Sequence, residues 1–199
     1  MILYLLISVI SVLSICFFNF IFSSVCFVEL GFLHMLFLVV LGVVIEFTID
    51  LIISGIVVVI PKKVFGGFNK VYKWERKFYD SLKIKKWKDL IPVGKGPIGI
   101  GISKKNLDNT QDISFLNRFI DDCFKAEVMH FFSMFFGFVL IFIFPIRYAL
   151  IVSLPIVLVN VFLQILPFFV QRYNLPKLQT LLKRNILLQE RKKKEPPNE

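Results

Sequence analysis

Charge is missing from the start of this chain: residues 2–28 contain no Asp, Glu, Lys or Arg. Over the whole sequence charged residues make up 19%, against about 25% in a soluble domain. That shortfall excludes an ordinary soluble enzyme and a disordered chain. Cysteine is scarce too, with Cys16, Cys26 and Cys123 alone. Three thiols cannot all pair within one chain, two of them sit inside an apolar run, and metal-ligand spacing is absent. They read as packing residues, and a secreted disulfide scaffold is excluded. The glycine-rich stretch Gly94 to Gly101 lacks the Lys-Ser/Thr pair of a phosphate-cradling loop, so it reads as plain loop.

What fills the chain instead is apolar surface: 56% hydrophobic residues, 24 Phe and a mean hydropathy of +0.73. The surplus lies in long uncharged runs, and a run of about 18 or more reads as a bilayer-spanning helix. Residues 2–28 are long enough to cross with tilt; without a basic leading segment they read as a retained helix rather than a cleaved signal. A second crossing is expected at about 35–58, ended by Pro61, Lys62 and Lys63. The third and fourth are expected at 126–144 and 148–170, joined by a tight hairpin at Pro145, Ile146 and Arg147. The sequence therefore predicts a single all-α integral membrane domain over 1–199, with about four transmembrane helices.

The net charge of +10 is segregated. Residues 61–125 hold 15 basic residues, 171–199 hold 8, and Arg147 alone lies elsewhere. In a membrane chain this excess serves topology and contact with anionic lipid head groups rather than nucleic acid. Basic loops stay on the cytoplasmic side, so the sequence predicts a multi-pass cell-membrane protein with both termini, the interfacial loop 61–125 and the tail 171–199 cytoplasmic. Within that loop Val71, Trp74, Phe78 and Leu82 recur at helical spacing among Lys70, Lys73, Arg76 and Lys77, the pattern of an amphipathic interfacial helix. The stretch around Trp87 repeats it, and Leu175, Leu178, Leu181 and Leu182 suggest another surface helix.

Few residues have the chemistry of a site. Glu127 and His130 stand at i and i+3, where a carboxylate can orient an imidazole that acts as a general base. An interfacial polar pair at a helix start has the same spacing. Gln171, Arg172 and Asn174 leave the fourth span at the matching depth; Arg172 could hold a phosphate or carboxylate, or with Tyr173 simply anchor the interface. Lys85, Trp87 and Lys88 form a basic strip suited to anionic lipid or to a phosphorylated donor, or to solvent. Glu46 and Asp50 lie one turn apart inside an apolar run, where each costs about 2.5–3.5 kcal/mol to insert. Function and burial by hydrogen bonding to a neighbouring helix fit them equally. His34 reads as interfacial, and Asn160 and Gln164, one turn apart, read as interhelical hydrogen-bond glue. No metal site is expected.

Five pieces in order carry a family resemblance: Pro61-Lys62-Lys63-Val64-Phe65, Lys85-Lys86-Trp87-Lys88-Asp89, Ser103-Lys104-Lys105-Asn106-Leu107, Ala126-Glu127 with His130, and Gln171-Arg172-Tyr173-Asn174 with Pro176 and Leu178. Over roughly residues 40–184 the chain resembles the glycosyl-4,4'-diaponeurosporenoate acyltransferases, small bacterial membrane proteins of carotenoid biosynthesis. Two departures stand out. The first span is an addition relative to shorter members, and Phe131 follows the His where Trp is familiar. The resemblance implies an acyl group moved to a hydroxyl of a glycosylated isoprenoid or other lipid, with acyl-CoA as co-substrate and no bound cofactor. It implies His130 as the base with Glu127 positioning it, and Lys85, Lys88 and Arg172 holding donor phosphates or the oxyanion. A small membrane methyltransferase and a non-catalytic lipid-binding or assembly subunit are the other classes the residues admit.

Overall fold

The computed structural model describes residues 2–22, 31–88, 91 and 112–194. Cys26, the Gly94 to Gly101 stretch and the Ser103 to Leu107 piece lie outside the described residues. All regular structure among the described residues is helical. The helices are α1 (Ile2–Phe22), α2 (Phe32–Val59), α3 (Lys73–Ser81), α4 (Ile84–Trp87), α5 (Ile113–Phe136), α6 (Leu140–Ile143), α7 (Ile146–Tyr148) and α8 (Leu154–Lys194). Two 3-10 segments, Lys62–Asn69 and Gly137–Val139, and a π turn, Ala149–Ser153, complete the order. Among the described residues three stretches are long and apolar enough to cross a membrane: Phe32–Val59, Ile113–Ile143 and Ile146–Arg191. The protein is thus a membrane protein by the length and composition of its helices.

Local chemistry sets the boundaries. Asp112 accepts hydrogen bonds from the amides of Ser114 (2.8 Å) and Phe115 (3.3 Å), capping α5. The helix therefore starts at Ile113, well ahead of the apolar run expected from residue 126. Phe144, in front of Pro145, is held extended at ψ 150, which ends α6 and makes the expected hairpin. Pro167 and Pro176 do not end α8, which runs on to Lys194. Each proline lacks an amide donor and crowds the preceding turn, at about 3 kcal/mol in an isolated helix. Packing of buried Val170, Tyr173 and Leu175 between them offsets that cost. Lys83 alone among the described non-glycine residues takes a left-handed conformation, at φ 52, and separates α3 from α4.

The chain divides into two compact units: residues 1–59 with 129–165, and residues 60–128 with 166–199. Helices α5 and α8 contribute to both. In the first unit Cys16, Met35, Leu38 and Val39 pack with Leu140, Phe144, Ile151, Val152, Ile156 and Val157. Gly42 permits the close approach, since a Cβ there would lie 2.6 Å from Ile156 Cδ1. The outward surface is apolar, with Phe142 85% and Ile146 84% exposed. In the second unit Tyr79, Ile84, Val170 and Tyr173 form the core, joined by Trp87, Ile91 and Phe169. Phe169 meets Phe78 edge-on at 5.8 Å and Tyr79 at 5.6 Å between ring centroids.

Candidate active site

Each unit buries one polar centre. That of the second unit is built on Arg172 of α8. Its Nε donates to Glu75 Oε2 (2.7 Å) and its Nη2 to Glu75 Oε1 (3.0 Å), a two-pronged grip on one carboxylate. Nη1 donates to Glu127 Oε1 (2.8 Å) and to the Phe68 carbonyl, and Nη2 also to the Lys70 carbonyl (2.8 Å). Five contacts use the five N–H groups of a guanidinium. Arg172, Glu75 and Glu127 are 7%, 5% and 0% exposed. Glu127 Oε2 has no hydrogen-bond partner among the described residues.

Glu75 is held from its own helix as well. Its Oε1 accepts the Tyr72 amide at 3.0 Å, closing the first turn of α3, and its Oε2 accepts the Tyr79 hydroxyl at 3.4 Å. Burial works against its charge. The hydrogen bonds from Arg172 and the Tyr72 amide, with the nearby cation, outweigh that and hold the carboxyl below its ordinary range. Burial and the adjacent Glu75 carboxylate push the Tyr79 phenol upward, so it remains a donor. Sequence reasoning missed Glu75. The signal was present as an acid set among Lys73, Arg76 and Lys77 in the first turns of the helix. Placing Glu75 and Tyr79 inward leaves Trp74, Phe78 and Leu82 exposed.

The first unit holds a chain of neutral amides. Asn160 and Gln164, one turn apart on α8, reach across to α2 and α5. Asn160 Nδ2 donates to Glu46 Oε1 and to the Ser133 carbonyl (3.5 Å). Gln164 Nε2 donates to Asp50 Oδ2 (2.6 Å) and Asn160 Oδ1 (3.2 Å), and its Oε1 lies 2.6 Å from His130 Nδ1. The interhelical glue expected of the two amides is present, and both intramembrane carboxylates are hydrogen-bonded to it. Glu46 Oε2 and Asp50 Oδ1 have no partner among the described residues. Gly137 makes room: a Cβ there would collide with Glu46 Oε1 and lie 2.8 Å from Asn160 Nδ2.

These bonds do not include the expected Glu127–His130 pairing. Glu127 is drawn to the Arg172 cation, a stronger partner than a neutral ring, and His130 Nδ1 is taken by Gln164. The donor-phosphate role expected of Arg172 meets a similar obstacle, because its N–H groups are already occupied. Gln171 is buried and Asn174 partly so, on either side of the Arg172 clamp along α8. Lys85 is exposed on α4, Lys88 is partly exposed beyond it, and Trp87 donates from Nε1 to the Leu82 carbonyl at 3.0 Å.

The family model for glycosyl-4,4'-diaponeurosporenoate acyltransferase matches residues 61–184, well over half of the chain. The chain belongs to that family. It is accordingly an acyltransferase of carotenoid biosynthesis, with an acyl donor and a glycolipid acceptor as its general partners. No curated protein and no solved structure matches it. The match begins at Pro61, later than the resemblance near residue 40. It takes in Glu75, Glu127, His130, Asn160, Gln164 and Arg172, and leaves Glu46 and Asp50 outside. Both polar centres of this acyltransferase therefore draw on the family segment, and only the α2 carboxylates come from beyond it.

Proposed function

We propose that the protein transfers a fatty acyl group from acyl-CoA to a sugar hydroxyl of a glycosylated carotenoid, or of another lipid glycoside, at the cytoplasmic face of the membrane. The family match over residues 61–184 carries this reading, because it spans the half-buried His130 and its amide partner Gln164. In the proposed step His130 accepts the proton of the acceptor hydroxyl while its oxygen attacks the thioester carbonyl. A C–O bond forms, the C–S bond breaks, and the proton leaves with the thiol of the donor. The proposed step is direct transfer from donor to acceptor, without a covalent acyl-enzyme.

Lys85 and Lys88 are assigned to the donor's anionic groups, with Trp87 seating their segment at the lipid interface. The exposed Trp74, Phe78 and Leu82 of α3 support interfacial placement of that helix. Gln171 and Asn174 are assigned to acceptor hydroxyls, and bound lipid head groups to the basic surface. Arg172 and Glu127 become a clamp that holds α5 and α8 in register, in place of the roles the resemblance implied for them. Four crossings with both termini cytoplasmic complete the reading; no resident cofactor enters it.

The test is an assay of the purified protein with labelled acyl-CoA and glycosylated carotenoid, read by mass spectrometry of the esterified product. Transfer to the glycoside and none to the aglycone is expected. Transfer from acyl carrier protein or a phospholipid but not from acyl-CoA would overturn the donor. External labelling of a cysteine at position 99, or protection of one at 147, would overturn the topology.

A further inference from the structure

The amide chain of the first unit has a direction as well as a position. It starts at the Ser133 carbonyl, which can accept a hydrogen bond and cannot donate one. Asn160 Nδ2 faces that carbonyl at 3.5 Å and also donates to Glu46 Oε1. With both Nδ2 hydrogens used, Oδ1 is what Asn160 offers to Gln164, and it accepts from Nε2 at 3.2 Å. The second Nε2 hydrogen goes to Asp50 Oδ2 at 2.6 Å. Gln164 must then turn Oε1 toward His130 Nδ1, at 2.6 Å. An amide oxygen only accepts, so the hydrogen between them belongs to the ring. The opposite assignment fails at its first link: a flipped Asn160 would set Oδ1 against the Ser133 carbonyl, two acceptors with no hydrogen between them.

We infer that Gln164 is a positioning residue that holds neutral His130 as the Nδ1–H tautomer, leaving Nε2 as its basic lone pair. Among the described residues Nε2 has no hydrogen-bond partner, which suits it to an incoming hydroxyl. Gln164 thus does for this ring what a carboxylate does in a Ser-His-Asp triad, by accepting from Nδ1–H, but without adding charge in an apolar surrounding. Asn160 and the Ser133 carbonyl set the sense of Gln164 in turn, and Gly137 leaves space for them. The catalytic half of the inference rests on His130 being the base; the tautomer does not.

The experiment is nitrogen NMR of the full-length protein in nanodiscs with ¹⁵N-labelled histidine. The chain has 2 histidines, so a His34→Gln sample assigns the spectrum. For neutral His130 a protonated Nδ1 and an unprotonated Nε2 are expected. In Gln164→Leu the tautomer preference should disappear and kcat fall on the order of 10²-fold, with KM for the acceptor little changed. A wild-type ring protonated at Nε2 overturns the inference, whether or not Gln164→Leu folds. So does Gln164→Leu with the tautomer unchanged. Full transfer by His130→Ala would instead remove the base reading, and with it the catalytic role of Gln164, while the measured tautomer would stand.

Discussion

The two polar centres solve burial in opposite ways. Around Arg172 the currency is full charge: one guanidinium grips Glu75 with two prongs and Glu127 with one, and two backbone carbonyls take its remaining N–H groups. Around Gln164 the links are neutral amides that pass a fixed donor–acceptor sense from the Ser133 carbonyl to His130. A charged clamp resists change, since removing one partner strands the other charges out of water. An amide chain is weaker per bond, but it specifies which ring nitrogen carries the proton. The difference separates a centre that holds helices together from one that can prepare a base.

Substitutions in the two centres should therefore differ in what they damage. His130→Ala should lower acyl transfer about 10²–10⁴-fold, the range for loss of a general base, with helix content and thermal stability close to wild type. Circular dichroism beside the transfer assay checks this, and full activity would sink the base assignment. Arg172→Ala should act chiefly on stability, by about 3–5 kcal/mol, because Glu75 and Glu127 lose their buried counter-ion. If instead the variant kept its melting temperature and lost only donor affinity, the clamp reading would give way to donor binding.

Gly137→Ala tests whether space beside the amide chain matters. Its methyl group would collide with Glu46 and crowd Asn160, so a stability loss of about 1–3 kcal/mol is expected, with a drop in turnover smaller than that of His130→Ala. Unchanged stability and turnover together would show that the network can give way. Acid should act on the other centre. Glu75 titrates below its ordinary value of 4.5, so its stabilisation is complete above that value and is lost as pH falls through the lower folded-state value. Glu75→Gln should lower the melting temperature at neutral pH and flatten its fall in acid; an identical acid arm in both proteins would assign that fall to other carboxylates. The smallest effect is expected at Lys83, whose left-handed backbone suits glycine. Lys83→Gly should be neutral or stabilising by up to about 1 kcal/mol, and a clear loss of melting temperature would show that its side chain matters more than its φ.

Much of this was readable from residue order. The apolar runs of α2, α5 and α8, the proline hairpin after Phe144, and Asn160 with Gln164 as interhelical bonds all follow from composition and spacing. The missed feature was choice of partner. Glu127 and His130 stand three residues apart, yet one pairs with Arg172 and the other with Gln164. Spacing along a helix shows which residues share a face; it does not rank the groups that other helices bring to that face. Glu75 was hidden for the same reason, because an acid set among Lys73, Arg76 and Lys77 reads as a solvated charge until an arginine 97 positions away closes on it.

The sequence by itself determined that this is a helical membrane protein and an acyltransferase of its family. Those properties are encoded in run length, residue type and motif order, which are local or additive along the chain. Only the tertiary structure decided that Arg172 is a clamp, that Glu46 and Asp50 end an amide chain, and that His130 faces Gln164 with Nδ1. Hydrogen bonds are short-ranged and directional, so these assignments depend on ångström-scale distances between helices more than 30 and up to 114 residues apart in sequence.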